Sequence, residues 1–197
     1  MSDCCCCNDE KKVYSKAEKD VILEKIIAIE TKMFVEVNQG QKVECQNQLK
    51  AFHVMRYMSF AVLSGETLQS YWEDLKFAIL EGRNLVKEKY ARMDNLIPIL
   101  NNNPVITKIV AVENVWMKEV HEQYPLIVKY DQQFTNYETC ELETYSDQTL
   151  DMYYRDVVVA KQLNINLVAE RYRILGQKMG YPSLEELQAR AAAKQNS

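Results

Sequence analysis

The sequence predicts an all-α protein, a four-helix bundle-like array built from two repeated helix pairs with short accessory helices. Three observations predict it. Glycine and proline are sparse, 5 and 4 among 197 residues, while Leu, Ile, Glu, Lys and Gln are common, a balance that favours helix over sheet. Apolar residues recur at helical spacing over most of the chain. Third, the chain repeats itself: "GRNLVKEKY" at Gly82–Tyr90 returns as "NINLVAERY" at Asn164–Tyr172, and "TLQSYWEDL" at Thr67–Leu75 returns as "TLDMYYRDV" at Thr149–Val157, both 82 positions later. "IIAIETKMFVEV" at Ile26–Val37 matches "IVAVENVWMKEV" at Ile109–Val120 at an offset of 83. The repeat reads as a duplicated helical hairpin whose halves, about 16–95 and 104–180, bury each other's apolar stripes.

Each element has its own signal. Ile22, Ile26, Ile27, Met33, Phe34 and Val37 define a first long helix from Lys16 to about Val37. A loop through "NQGQKVECQNQ" leads to a short helix at Leu49–Leu63, which "SGE" ends. A second long helix spans about Glu66–Met93. "LIPILNNNP" punctuates the chain, and a third helix follows Pro104 and stops before Pro125. Tyr124–Ser146 lacks steady periodicity and reads as a long irregular connection. A fourth long helix covers about Asp147–Met179, and "GYPSLEEL" opens a last short helix, with Ser183 and Glu186 at capping-box spacing. One domain, 16–187, is expected between a cysteine-rich tail at 1–15 and a C-terminal tail at 188–197.

Composition narrows the function. The formal charge of −4, with signs interspersed, offers no basic stripe for phosphate backbones, so nucleic acid is excluded as the expected partner. No apolar run approaches the ~20 residues of a membrane span, and no signal-peptide core follows Met1, so a cytoplasmic protein is expected. Cys4–Cys7 form an unbroken run unlike the spaced pairs of zinc sites. A reduced disordered tail, a lipidated one and a soft-metal ligand are the readings left open for it.

Two acids stand out. On a wheel of about 100° per residue, Ile26, Ile27, Met33, Phe34 and Val37 all fall within about 60° of Glu30. Glu113 sits likewise among Ile109, Val110, Trp116, Met117 and Val120. Both are expected in the core, where a charge must be paired, hydrogen-bonded, protonated or metal-bound. Arg56, on the apolar side of its short helix, is the candidate buried cation. Tyr71, Asp74, Asn84 and Glu88, repeated as Tyr153, Asp156, Asn166 and Glu170, are candidates for a polar seam beside it. Glu30 and Glu113 would be the acid/base groups and Arg56 an anion clamp. Cys45, Arg56, Tyr71, Asp74, Asn84, Glu88, Tyr153 and Asn166 would bind the ligand.

Three functions remain open on this reading. The seam takes, and transforms, a small polar ligand; it is a purely structural network in an interaction or scaffold protein; or it holds a metal on carboxylates. Against the last, the di-iron pattern wants Glu-x-x-His, and His53 and His121 have no such partner. No cofactor and no protein partner is identified by the sequence.

"IAIETKMF", "CQ", "MRYMSF", "SYWEDL", "EGRNLVKEKYARM" and "GYPSLEEL" together resemble a family of mainly prokaryotic helical proteins catalogued as a domain of unknown function, number 4125. The likeness runs from about Val21 to Leu187. It implies that Glu30, Cys45, Gln46, Met55 and Arg56 belong to one site, and it implies no reaction.

Overall fold

A computed structural model describes residues 13–37 and 46–195. Among them the chain forms nine helices and no strand: α1 (Lys16–Val37), α2 (Gln46–Ala61), α3 (Gly65–Leu80), α4 (Leu85–Met93), α5 (Pro104–Gln123), α6 (Gln132–Leu142), α7 (Asp147–Gln162), α8 (Leu167–Lys178) and α9 (Leu184–Gln195).

Both long helices expected around the repeated motif are broken in its middle. After α3, Gly82 turns left-handed at φ +66°, its N–H bonds Ile79 O at 3.1 Å, and Arg83 N bonds Ala78 O at 2.8 Å. After α7, Asn164 takes φ +54°, with bonds to Lys161 O at 3.2 Å and from Ile165 N to Ala160 O at 2.8 Å. Each is a Schellman stop, which glycine and asparagine accommodate best. Two residues on, Asn84 and Asn166 restart the chain as N-caps, accepting from Lys87 N and Ala169 N at 2.9 Å. The repeated "N-L-V" therefore spells a helix beginning, not a helix middle.

The stretch Tyr124–Ser146, expected to be irregular, contains α6. Asp131 caps it by accepting from Gln133 N and Phe134 N. Its inward residues include Tyr137, Glu138 and Glu141, so a hydrophobicity pattern does not reveal it. Ser64 and Ser146 cap α3 and α7 in the same way, and Asn103 with Pro104 at the first turn opens α5. The last helix runs on through Gln195, inside the stretch read as a C-terminal tail.

Packing follows a regular scheme. Helix α1 lies against α2, α3 and α4, and α5 lies against α6, α7 and α8. Three further contacts join these groups: α3 with α7, α2 with α8, and α4 with α6, while α9 rests on α8. Ile22, Leu23, Ile26, Ile27 and Met33 of α1 and Ile106, Ile109, Val110, Trp116, Met117 and Val120 of α5 supply the centre of the apolar core. Glu30 and Glu113 lie on those same stripes.

The candidate site: a buried network of acids and bases

Glu30 is 1% exposed and Glu113 is fully buried, as their places among isoleucines require. Arg56 of α2 grips Glu30 with both arms, Nε to Oε2 and Nη2 to Oε1 at 2.7 Å each. Tyr71 of α3 adds a hydroxyl bond to Oε1 at 2.8 Å. Glu113 is gripped by Arg171 of α8, Nη1 to Oε2 at 2.7 Å and Nη2 to Oε1 at 2.8 Å, with the Tyr153 hydroxyl at 2.8 Å. Both oxygens of each acid are thereby engaged by a planar donor fork. No hydrogen bond joins the two glutamates; each has its own arginine.

Helix α6 links the clusters. Glu141 accepts from Arg56 Nη2 at 2.5 Å and Nη1 at 3.0 Å, from Lys89 Nζ at 3.0 Å and from the Tyr145 hydroxyl at 3.1 Å. Lys89 Nζ also donates to the Tyr137 hydroxyl at 2.8 Å. One turn before Glu141, Glu138 Oε1 lies 3.4 Å from the Tyr153 hydroxyl. Rings fill the gaps between charges: Phe60, Tyr71, Tyr145 and Tyr153 follow one another at centroid distances of 5.1, 4.4 and 6.5 Å.

The charges close. Arg56, Lys89 and Arg171 face Glu30, Glu113 and Glu141, three cations and three carboxylates, and Glu138 is a seventh group. Burial would raise Glu141, but Arg56 and then Lys89 override it and hold this carboxyl well below the usual range. Glu138 goes the other way: burial, then the negative charge of Glu113, push it up to about 8, with Arg171 only partly offsetting them. At neutral pH Glu138 keeps its proton and the network is electrically neutral. Burial likewise raises the hydroxyls of Tyr71, Tyr145 and Tyr153, so they remain donors.

Space inside the network is small. A cavity of about 30 Å³ lies between Arg56, Ser59, Glu138, Tyr145 and Arg171, and one of about 10 Å³ beside Glu30 and Lys89. These match one or two water molecules. Arg171 Nε, the single buried side-chain nitrogen or oxygen among the described residues without a hydrogen-bond partner, belongs to a residue lining the larger one.

The other candidates have different work. Asp74 accepts from Ser146 N at 3.0 Å, and its counterpart Asp156 accepts from Ser64 N at 2.8 Å and Thr67 Oγ1 at 2.7 Å. They tie α3 and α7 together at their starts and do not reach Glu30. Asn84 and Asn166, besides capping, donate Nδ2 to Met33 O at 3.0 Å and Trp116 O at 3.1 Å, fastening α4 to α1 and α8 to α5. Glu88 points outward to Arg83, and Glu170 to Arg173. The polar seam expected from Asp74, Asn84 and Glu88 is thus not one seam: Asp74 precedes the break and turns to Ser146, while the breaks at Gly82 and Asn164 take Asn84 and Glu88, and Asn166 and Glu170, off the line of α3 and α7. Cys45 and Cys4–Cys7 lie outside the described residues. His53 stands 3.6 Å from Glu24 near the surface, and His121 Nδ1 lies 2.7 Å from Val128 O.

Six network members went unread in the sequence, among them Tyr145 just after α6. Lys89 and Arg171 sit at matched places in the repeated motif, and that match was the available signal. Tyr137, Glu138 and Glu141 belong to α6, whose helical period is masked by its polar inner face. Among the described residues no group of three or more His, Cys, Asp or Glu could hold a metal ion, and no helix is long and apolar enough to cross a membrane.

No curated protein and no solved structure matches the chain. A family model described as a protein of unknown function, DUF4125, matches residues 20–189, which span every residue of the network, and the chain therefore belongs to that family.

Proposed function

We propose that this chain is a non-enzymatic helical scaffold in which two duplicated halves are locked in register by the Glu30–Arg56–Glu141–Lys89 and Glu113–Arg171–Tyr153 clusters. The observation that carries the reading is size: the network encloses cavities of about 30 and 10 Å³, against the ~300–1,000 Å³ of small-molecule sites. Polar groups paired this completely are suited to fixing one helix arrangement, since any slipped register strands a buried charge. Duplication is supported by the packing scheme, which maps onto itself when α1–α4 are exchanged with α5–α8. The paired caps Ser64 and Ser146, and Asn84 and Asn166, support it further.

Native mass spectrometry and elemental analysis of the freshly purified full chain test the reading. The scaffold is expected to yield no stoichiometric species whose retention depends on Glu30. A small molecule or metal held by the native chain and lost from a folded Glu30→Gln variant would overturn it in favour of an internal ligand site.

A further inference from the structure

A larger cavity lies near the start of α1 and the end of α8. Its volume is about 620 Å³, within the range of small-molecule pockets. Its floor is apolar, with Leu23 and Leu68 fully buried and Ala61 and Ile174 beside them. Its walls carry Lys16, Lys19, Arg173 and Lys178 against the single carboxylate of Asp20. That local excess of positive charge stands out in a chain whose formal charge is −4.

The positive charge is not used up by the protein. Arg173 pairs with Glu170 at 2.6 Å, and Lys178 Nζ lies 3.9 Å over the Tyr57 ring. Lys16 and Lys19, by contrast, form no ion pair with any described residue. The acids nearest Lys19 are committed elsewhere: Asp20 accepts from the Tyr57 hydroxyl at 3.2 Å, and Asp156 is held by Ser64 N and Thr67. Half-burial lowers the Lys19 ammonium's affinity for its proton, and Asp156 and Asp20 only partly compensate.

We propose that this groove binds a small phosphate monoester, its phosphate held by Lys16, Lys19 and Arg173 and its organic body resting on Leu23, Ala61 and Leu68. A phosphate group brings nearly two negative charges and three acceptor oxygens, matching several separate cations better than a single carboxylate does. The apolar floor adds affinity for what the phosphate is attached to. The groove lies apart from the Glu30 and Glu113 clusters, so the inference stands whether or not those clusters are purely structural.

Calorimetric titration of the full chain with phenyl phosphate, inorganic phosphate and phenol is the test, with sedimentation on phosphatidylcholine vesicles containing phosphatidic acid as a parallel arm. Phenyl phosphate should bind at least tenfold more tightly than inorganic phosphate, and phenol should not bind. Lys16→Met/Lys19→Met should lower the affinity at least tenfold, while Lys118→Met, at an exposed pair with Glu122 on α5, should leave it unchanged. Arg173→Glu, on the exposed rim, gives a second loss that does not depend on the half-buried Lys19. Vesicle binding lost with the same variants supports the site and assigns its phosphate to a lipid headgroup; binding of the free ester alone supports it as a soluble-ligand site. Absence of binding to both, equal affinity for phenyl and inorganic phosphate, or affinity unchanged in both the double variant and Arg173→Glu would overturn the proposal.

Discussion

The clusters around Glu30 and Glu113 solve the same problem with different parts. Both present a glutamate on a long apolar helix and a tyrosine from the helix two elements later. In the first, the arginine comes from α2, as Arg56; in the second it comes from α8, as Arg171. Where the second cluster has Arg171 the first has Lys89, and 82 positions after Arg56 the chain has Glu138. A buried carboxylate demands a guanidinium, but the demand does not specify which neighbouring helix supplies it. The exchange has a consequence: the first cluster holds two cations and reaches across to Glu141, whereas the second has one cation and an additional acid that must stay protonated.

The largest expected effect breaks this comparison at its weaker point. Glu113→Gln takes the paired carboxylate from Arg171 and leaves it Tyr153, a neutral amide and the protonated Glu138, and breaking a buried ion pair by removing one partner costs about 3–5 kcal/mol. Glu30→Gln leaves Arg56 still bidentate on Glu141, so its cost is expected to be smaller, about 1–3 kcal/mol. Urea unfolding of the two variants, side by side, checks the order.

Glu138 sharpens the comparison through pH. An unfolded glutamate titrates near 4.5, while folded Glu138 titrates at about 8. Between those values the folded state holds a proton that the unfolded state has released, so this group's contribution to stability falls as pH rises and levels off above 8. Glu141, held low, works in the opposite sense: its contribution is present above the ordinary glutamate range and is lost on acidification. Glu138→Gln should therefore match the native chain near pH 5 and exceed it increasingly up to pH 8 to 9, as read from melting temperatures across that range. A constant difference at all pH values would show that Glu138 is not the titrating group.

The two asparagine caps should respond alike. Asn84→Ala and Asn166→Ala are each expected to cost about 1 kcal/mol, since each removes a cap and a tie to the preceding long helix. The two left-handed stops should differ: Gly82→Ala forces a side chain into φ +66° and costs about 1 kcal/mol, whereas Asn164→Gly should be neutral or slightly stabilising. The smallest effect is Glu88→Ala at the outward pair with Arg83, within about 0.5 kcal/mol. All are measurable by denaturant unfolding.

The comparison also explains what was readable from sequence. Glu30 and Glu113 were legible because an acid in the middle of an isoleucine stripe breaks a strong period. Arg56 was legible for the same reason. Gly82 and Asn84 carried a stop and a start that were also present in the letters, but the apolar period continues across them, and it outweighed the two local signals. α6 was hidden because its inward face is charged: a helix that buries Glu141 and Tyr137 against Arg56 and Lys89 has no hydrophobic stripe to find. The pairing of Glu113 with Arg171, 58 positions away, depends on how α5 and α8 pack, which no local pattern encodes.

The most direct measurement is the stability of Glu30→Gln by urea unfolding, monitored by far-ultraviolet circular dichroism at pH 7. A structural network is expected to lose about 1–3 kcal/mol, with an unchanged slope against urea. A variant as stable as the native chain, or more so, would contradict it, because Glu30 would then be a strained functional group that the fold tolerates and does not need.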